Sequence, residues 1–335
     1  MSGNRRIRRD DLQKALLAIA AVFFLIGIGG IVISKWENAK YASGGTATVD
    51  IDTVLNNDDT VEKNGVTYER KDKLRTYLVM GVDSDKAPIS HANGGQADLQ
   101  IAVIIDDENK TWQLMPLDRD TMVFMDVYDD QDNLLGQTVA QLTLAHSHSS
   151  WEVGAKNTVK TVSRMLKGQK ITGYVSANLQ SIYILNDAVG GVPVTVTTDF
   201  TAVDPSLVLG EEIILDGKQA ETFVRSRMTV DNGTNEARMA RQEAYLNGLM
   251  DKVSGLSDAE LLDIYDRIAE NSVTNVGSGD FVDLVQITKD YEHLPNIKIE
   301  GEHLVNNGLT EFRMDEESLD QLILDVFYEK QEAGK

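Results

Sequence analysis

Twenty consecutive uncharged residues, Ala15 to Ser34 (ALLAIAAVFFLIGIGGIVIS), follow a tail that holds Arg5, Arg6, Arg8, Arg9 and Lys14. Lipid offers no partner for backbone N–H or C=O groups, so such a run inside a bilayer must satisfy them itself, as a helix. At about 1.5 Å per residue it is just long enough for a hydrocarbon core of roughly 30 Å. A cleaved signal peptide would have an apolar stretch of about 7–15 residues followed by a small-residue cleavage site. Here Lys35-Trp36 closes the run and no clear site follows. The expectation is one uncleaved transmembrane helix over 15–34, a basic cytoplasmic tail over 1–14, and everything from Trp36 onward outside the cell, because basic flanks stay inside.

Charge and composition narrow what the outer part does. Acidic residues outnumber basic ones 53 to 32 in 335 residues, for a net charge of -21. Phosphate attraction holds general nucleic-acid binders, so this balance argues against nucleic acid as a partner. The chain has no cysteine, which excludes disulfides, thiolate metal sites and cysteine nucleophiles together. At 42% hydrophobic residues it can fill a sizeable core.

Residues 35–73 are polar and acidic without sustained periodicity and read as an extracytoplasmic tether or a loosely attached collar. From Thr76 the pattern changes to short apolar runs, YLVMGV, IAVII, TWQLMPL and MVFMDVY, each expected to be a strand. Helices are expected over Gln137–Ser147, Gly154–Leu166, Leu179–Ala188, Asp216–Val224, Asn235–Val253, Ala259–Ala269, Asp280–Tyr291 and Glu316–Tyr328, with strands at Gly173–Ala177 and Val192–Thr197. Strands mixed with helices predict an α/β class, as a single mixed-sheet domain with flanking helices over 74–335.

Inside this acidic chain, the stretch FVRSRMTVDNGTNEARMARQEAYL from Phe223 to Leu246 is rich in arginine. Arg225 and Arg227 are two apart, so on extended backbone they leave the same face. Asp231-Asn232-Gly233 reads as a turn and Thr234 or Asn235 as a helix N-cap. On that helix Arg238, Arg241 and Gln242 share one face, with Arg238 near the end that favours an anion. The guanidinium fork matches phosphate oxygens bidentately, so the two arms together form an expected phosphate or pyrophosphate cup. A helix whose arginines pair with acidic neighbours is the plainer alternative.

Two aspartates sit where strands meet loops: Asp83 ends YLVMGVD, and Asp98 opens the IAVII run after Gly94-Gly95. Carboxylates in such places, with a phosphate partner, suit Mg2+ or Mn2+, which takes one or two protein carboxylates and leaves other positions to water and substrate oxygens. A cap or turn role is the ordinary alternative. Arg119 follows directly on a strand in PLDRDT, where a surface salt bridge with Asp118 or Asp120 is the plain reading.

GVDS at 81–84, QADLQIAVI at 96–104, LDRDT at 117–121, LNDAVGGVPV at 185–194, LDGKQAETFVRSR at 215–227 and RMARQ at 238–242 occur together in the order and rough spacing of one family. Across about residues 76–253 the chain resembles the LytR-CpsA-Psr family. The resemblance implies a membrane-anchored, extracytoplasmic phosphotransferase. Such an enzyme moves an anionic glycopolymer, of the teichoic acid or capsular polysaccharide type, from a polyprenyl pyrophosphate carrier to peptidoglycan. By position, Asp83 and Asp98 resemble the family's metal-associated aspartates, and Arg119 its arginine after the central strand. Arg225, Arg227, Arg238 and Gln242 resemble its pyrophosphate-contacting residues, with Arg241 and Gln96 beside them as substrate-binding candidates. Gln96 and Val123 stand where many or some members carry arginine, so this chain lacks two of the family's cations.

Phosphoryl transfer places charge on equatorial and leaving oxygens, so the protein mainly positions and neutralises. Arg119, Arg225, Arg227 and Arg238 would do that, and Asp98, Asp120 and Asp231 are the candidates for general base. A non-catalytic surface binder of anionic polymer and a polyprenyl-pyrophosphate hydrolase are the rival functions. His146 and His148 are two apart and would not share a ligand from a helix. The acidic run Asp126–Asp132 lacks the Gly and Glu of a calcium loop and reads as a solvated turn.

Overall fold

A computed structural model of the chain describes residues 59–82, 84, 95–178, 180–226, 230, 241, 244–245, 247–249, 251–253, 255–306 and 308–331. The apolar run at 15–34, the tether up to residue 58, and Asp83, Arg227, Asp231, Arg238 and Gln242 lie outside the described residues. Among the described residues no helix is long and apolar enough to cross a membrane.

The first two strands fall where a tether was expected: β1 (Thr60–Lys63) and β2 (Val66–Arg70) form an antiparallel hairpin. Asn64 and Gly65 both have positive φ, at 55° and 74°, which is the Asn-Gly hairpin turn whose backbone twist matches its strands. The tether boundary at residue 73 is therefore corrected, since folded structure already begins at the first of these strands.

The four apolar runs are strands as expected: β3 (Leu74–Val82), β4 (Ala97–Asp106), β5 (Thr111–Leu117) and β6 (Met122–Tyr128). Gln137–Ser147 is not the expected helix. It continues β7 (Leu134–Gln141), paired antiparallel to β6 with Val139 opposite Phe124, and then makes a 3-10 turn over Leu142–His146. A β-branched pair, Thr138-Val139, opposite an aromatic strand is more stable extended than helical.

Helix α1 (Trp151–Met165) starts three residues before its expected position, because the Ser150 hydroxyl accepts from the Val153 N–H as N-cap. Next come β8 (Gly173–Asn178), α2 (Gln180–Ala188), β9 (Val192–Thr195) and β10 (Glu212–Leu215). Helix α3 (Gly217–Arg225) opens with a reciprocal capping box between Asp216 and Gln219. Residues 241, 244–245, 247–249 and 251–253 are helical, within the span expected for one helix. The chain ends with α4 (Asp258–Ala269), β11 (Ser272–Thr274), α5 (Ser278–Asp290), β12 (Glu292–His293), β13 (Gly301–Asn306), β14 (Leu309–Met314), α6 (Glu316–Phe327) and β15 (Tyr328–Lys330). Strand β15 pairs with β2, tying the C-terminal end to the first hairpin.

The central sheet runs β11-β8-β3-β4-β5-β12. It is mixed: β3 is parallel to β8 and antiparallel to β4, and β4 is antiparallel to β5. Side chains alternate across it, as period-two geometry requires. Tyr77, Val79, Ile101, Val103 and Ile105 face a core shared with α2, α3, α4 and α5. Leu78, Met80, Val82, Ala102 and Ile104 face a second core with α1 and α6. Both faces are covered, which explains why these runs read as continuously apolar.

Candidate functional site

The carboxyl ends of β3, β8 and β5 and the start of β4 share one edge of the sheet. Val82 pairs with Ala97 and with Asn178, and Leu117 pairs with Gln100. Loops leaving that edge carry the residues expected to do chemistry. In the β3–β4 ladder Gly81 faces Leu99 and Val82 faces Ala97, so Asp98 is the extra residue of a β-bulge. A bulge re-aims a side chain out of the regular alternation, and here the re-aimed group is the Asp98 carboxylate.

Arg119 lies in the turn after β5. This turn is closed by Thr121 N–H to the Asp118 carbonyl at 3.1 Å and by Asp120 N–H to Asp118 Oδ1 at 2.8 Å. Each nitrogen of its guanidinium faces a different oxygen. Nη1 is 2.7 Å from Asp98 Oδ1, Nη2 donates to Gln96 Oε1 at 3.0 Å, and Nε lies 3.7 Å from Asp120 Oδ1. The Asp98 side chain is 8% exposed and that of Arg119 23%, so the pair sits at the floor of the edge rather than on open surface. The plain salt bridge expected for Arg119 is formed, but its close partner is Asp98, twenty-one positions upstream in the chain, rather than a neighbour in the turn.

The 3-10 turn supports this pair from below. Thr143, fully buried, donates its hydroxyl to Asp98 Oδ1 at 3.2 Å and its backbone N–H to the Arg119 carbonyl at 3.0 Å. His146 is buried as well, with Nδ1 3.2 Å from the Gly95 carbonyl and Nε2 2.8 Å from Ser176 Oγ, which also accepts from Trp151 Nε1. A carbonyl only accepts, so Nδ1 carries a proton. His146 therefore anchors the end of the loop that presents Gln96 and Asp98. Helix α1 approaches the turn so closely that a Cβ on Gly154 would lie 2.2 Å from the His146 carbonyl oxygen, which explains glycine there. Sequence reasoning missed Thr143 and this use of His146, because their partners are distant in the chain.

Arg225 ends α3 and pairs with Glu221 one turn earlier, and the Tyr183 hydroxyl donates to the same carboxylate. Burial, with Glu221 beside it, pushes the Tyr183 phenol up to about 12, so it stays a donor. Tyr183 lies in the first turn of α2, directly after β8, which brings the Arg225 end of α3 to the same edge of the sheet. Arg241, expected beside substrate, has another place. It is 1% exposed, stacks over Phe200 with its Cζ 5.5 Å from the ring centroid, and donates from Nε to the Phe223 carbonyl at 3.0 Å and from Nη2 to the Ser226 carbonyl. These carbonyls flank Arg225, so Arg241 holds the end of α3 that presents Arg225.

Val123, at a position where the resemblance places arginine, is 5% exposed in the α1-side core. The acidic run is not a solvated turn at its first residue. Asp126 is buried and accepts from Lys160 at 2.7 Å, Arg164 at 2.8 Å and Gln137 at 2.9 Å. Among the described residues no group of three or more His, Cys, Asp or Glu side chains is placed to hold a metal ion.

Fold and site define a mixed-sheet α/β protein with guanidinium groups braced by carboxylates at one sheet edge, a geometry suited to a phosphorylated ligand. The LytR_cpsA_psr family model matches residues 39–325, and the chain belongs to that family. It is 28% identical over 306 residues to the polyisoprenyl-teichoic acid–peptidoglycan teichoic acid transferase TagV of Bacillus subtilis (strain 168), covering 88% of this chain and 72% of TagV. It is 25% identical over 309 residues to TagU of Enterococcus faecalis (strain ATCC 700802 / V583), a transferase of the same description, covering 91% of this chain and 92% of TagU. The crystal structure of B. subtilis TagV superposes with a TM-score of 0.55 at 27% identity, over 76% of this chain and 96% of that one. YwtF (TagT) with bound octaprenyl pyrophosphate lipid shares the fold at a TM-score of 0.50 and 20% identity, over 76% of this chain and 90% of that one.

Proposed function

We propose that this protein transfers an anionic glycopolymer of the teichoic acid type from a polyprenyl pyrophosphate carrier to peptidoglycan, outside the cell, from a membrane anchor at 15–34. The observation that carries this reading is the Arg119 guanidinium, divided among Asp98, Gln96 and Asp120 at the edge where β3, β4, β5 and β8 meet. A guanidinium braced on its flanks is pre-organised to receive phosphate oxygens without a reorganisation cost at the moment of reaction. Arg225, fixed by Glu221 and by the carbonyls that Arg241 holds, supplies a second cation at that edge. Membership of the family, with relatives named as teichoic acid transferases, supports the choice of donor and acceptor.

In this mechanism the pyrophosphate binds with its oxygens against Arg119 and Arg225, and the negative charge that grows on the leaving phosphate is met by groups already in place. Arg227, Arg238 and Gln242 complete the cup in this reading. Asp98 offers a hard carboxylate oxygen at the strand start and, with Asp83, would hold Mg2+ or Mn2+, ions that need only one or two protein carboxylates. The metal would supply further neutralisation of the pyrophosphate.

The full chain in detergent, given a polyprenyl-pyrophosphate oligosaccharide, Mg2+ and peptidoglycan fragments, should yield oligosaccharide joined through one phosphate to the fragment, detected by mass. A product with free oligosaccharide phosphate and unmodified peptidoglycan would identify a hydrolase instead. Binding with no product would identify a plain binder.

A further inference from the structure

Asp120 has its own surroundings, distinct from those of Asp98. Gln141, at the end of β7, donates through Nε2 to Asp120 Oδ1 at 2.8 Å and to the Thr310 carbonyl at 2.7 Å. The Phe312 N–H donates to the Asp120 carbonyl at 2.8 Å. The carboxylate is thus fixed between β7 and the β13–β14 hairpin, on the Nε side of Arg119, while Asp98 occupies the Nη1 side. Its side chain is 24% exposed, three times as much as Asp98. Asp98 Oδ1 already takes two donors, Arg119 and Thr143. Asp120 Oδ2 accepts no hydrogen bond among the described residues.

Resting on the transferase reading above, we propose that Asp120 is the general base that takes the proton of the acceptor hydroxyl, with Gln141 as its positioning residue. The acceptor oxygen forms its bond to the phosphorus that bears the glycopolymer as its O–H proton passes to Asp120 Oδ2. The bond from that phosphorus to the bridging oxygen breaks, and polyprenyl phosphate leaves with the electron pair. Asp120 then returns its proton to solvent. A base must be oriented by a third group and must keep one oxygen open toward the reacting proton, and Asp120 meets both conditions. Burial raises its proton affinity, as does Asp118 nearby, and Arg119 and His303 act in the opposite sense. Among the described residues these are the titratable groups that act on it, and His303 Nε2 is itself 3.3 Å from Asp118 Oδ2. Asp98 has another part in this reading: its Oδ1 holds Arg119 and Thr143, and its carboxylate would be a metal ligand.

The test compares wild type with Asp120→Asn as full chains in detergent. Octaprenyl pyrophosphate binding, transfer rate and thermal midpoint are measured, with acceptor alcohols of graded acidity alongside a peptidoglycan fragment. Asparagine still accepts from Gln141, and it avoids placing a charge in a half-buried position, so the midpoint should match or exceed that of wild type. Lipid binding should stay within about twofold, while transfer to the peptidoglycan fragment should fall by about 10²–10⁴. The deficit should shrink as the acceptor hydroxyl becomes more acidic, because such a hydroxyl needs less help to lose its proton. Transfer within about threefold of wild type, or a deficit that is the same for every acceptor, overturns the assignment of the base. A wild-type protein that binds the lipid and transfers nothing to any acceptor overturns the transferase reading, and the base with it.

Discussion

Arg119 and Asp98 meet at 2.7 Å through a single oxygen of the carboxylate, and that oxygen also receives the Thr143 hydroxyl at 3.2 Å. Asp98 is largely buried and Arg119 partly so, and the two share a close contact, so they are not independent. Asp98→Ala would leave the Arg119 guanidinium without its close partner, at the cost that attends a partly buried unpaired charge. Asp98→Asn is the cleaner change. It keeps the shape and one acceptor, and should lower transfer by orders of magnitude while unfolding remains within about 1–3 kcal/mol of wild type. Denaturant unfolding and product analysis on the same preparation check this. Transfer near the wild-type level would remove Asp98 from the chemistry.

Thr143 offers a narrower test, because valine has its shape without its hydroxyl. Thr143→Val should leave the core intact and cost about 1 kcal/mol, the worth of one buried hydrogen bond. With one donor to its carboxylate gone, the Asp98–Arg119 geometry loosens. We expect kcat to fall on the order of tenfold, with KM moving less, because the penalty falls on alignment in the transition state. Thr143→Ser, which retains the hydroxyl, should recover most of the loss. If serine and valine are equally impaired, the methyl group and its packing matter and the hydroxyl does not.

Asp126 carries a pH prediction. Burial alone would raise its carboxyl, but hydrogen bonds from Lys160, Arg164 and Gln137 outweigh this and hold it at about 2, against an ordinary 3.8. The folded value lies below the unfolded one, so the group contributes stability above pH 4 that is lost as pH falls from about 4 to 2. A shift of this size corresponds to about 2 kcal/mol. The wild-type unfolding free energy should therefore drop across that window more steeply than that of Asp126→Asn, which will already be destabilised at pH 7. Parallel pH profiles for the two proteins would deny the linkage. Arg164→Lys also belongs in this set: the arginine is largely buried against Asp126, so lysine should cost measurable stability.

The sheet and most helices were legible because each is a local pattern. The run YLVMGV is apolar on both faces, and Asp216 three residues before Gln219 announces the start of α3. Local patterns fail where a partner is remote. The β1–β2 hairpin carries an Asn64-Gly65 turn, a readable signal, but its third strand comes from Tyr328–Lys330 and nothing nearby marks the segment as folded. The segment Gln137–Gln141 is short and ambiguous in period, and only its pairing with β6 decides for strand. For the candidate site, residue type and order proposed Asp98, Arg119 and Arg225, and the structure brings the first two into contact. Spacing on one helix face put Arg241 with the ligand-facing residues, yet a guanidinium can equally turn inward when carbonyls there lack donors. The carbonyls of Phe223 and Ser226 provide that alternative.

The two positions at which this chain lacks a family arginine are not equivalent in the structure, and a pair of substitutions shows the difference. Gln96 lies at the accessible edge of the site, with its Oε1 accepting from Arg119 at 3.0 Å. Arginine there loses that acceptor, yet its charge can extend toward solvent, so Gln96→Arg should cost no more than about 1 kcal/mol. Val123 is 5% exposed in the same core as Met115, Leu142 and Trp151, on a strand paired to Ala140. The residues around it are apolar, and the buried carboxylate of the same strand, Asp126, is already taken by Lys160 and Arg164, so a guanidinium placed there would be poorly paired and too large for the space. Val123→Arg should destabilise by roughly 3 kcal/mol or more and restore no activity. Chemical unfolding of both variants decides between two accounts of the missing cations. A stable and more active Val123→Arg would mean that the strand can turn this position toward the site and that the chain lacks only the charge. The expected result, a tolerated Gln96→Arg beside a severely destabilised Val123→Arg, would mean that the core has been repacked around valine. Neutralisation of the substrate would then rest on Arg119, Arg225 and the arginines that follow it.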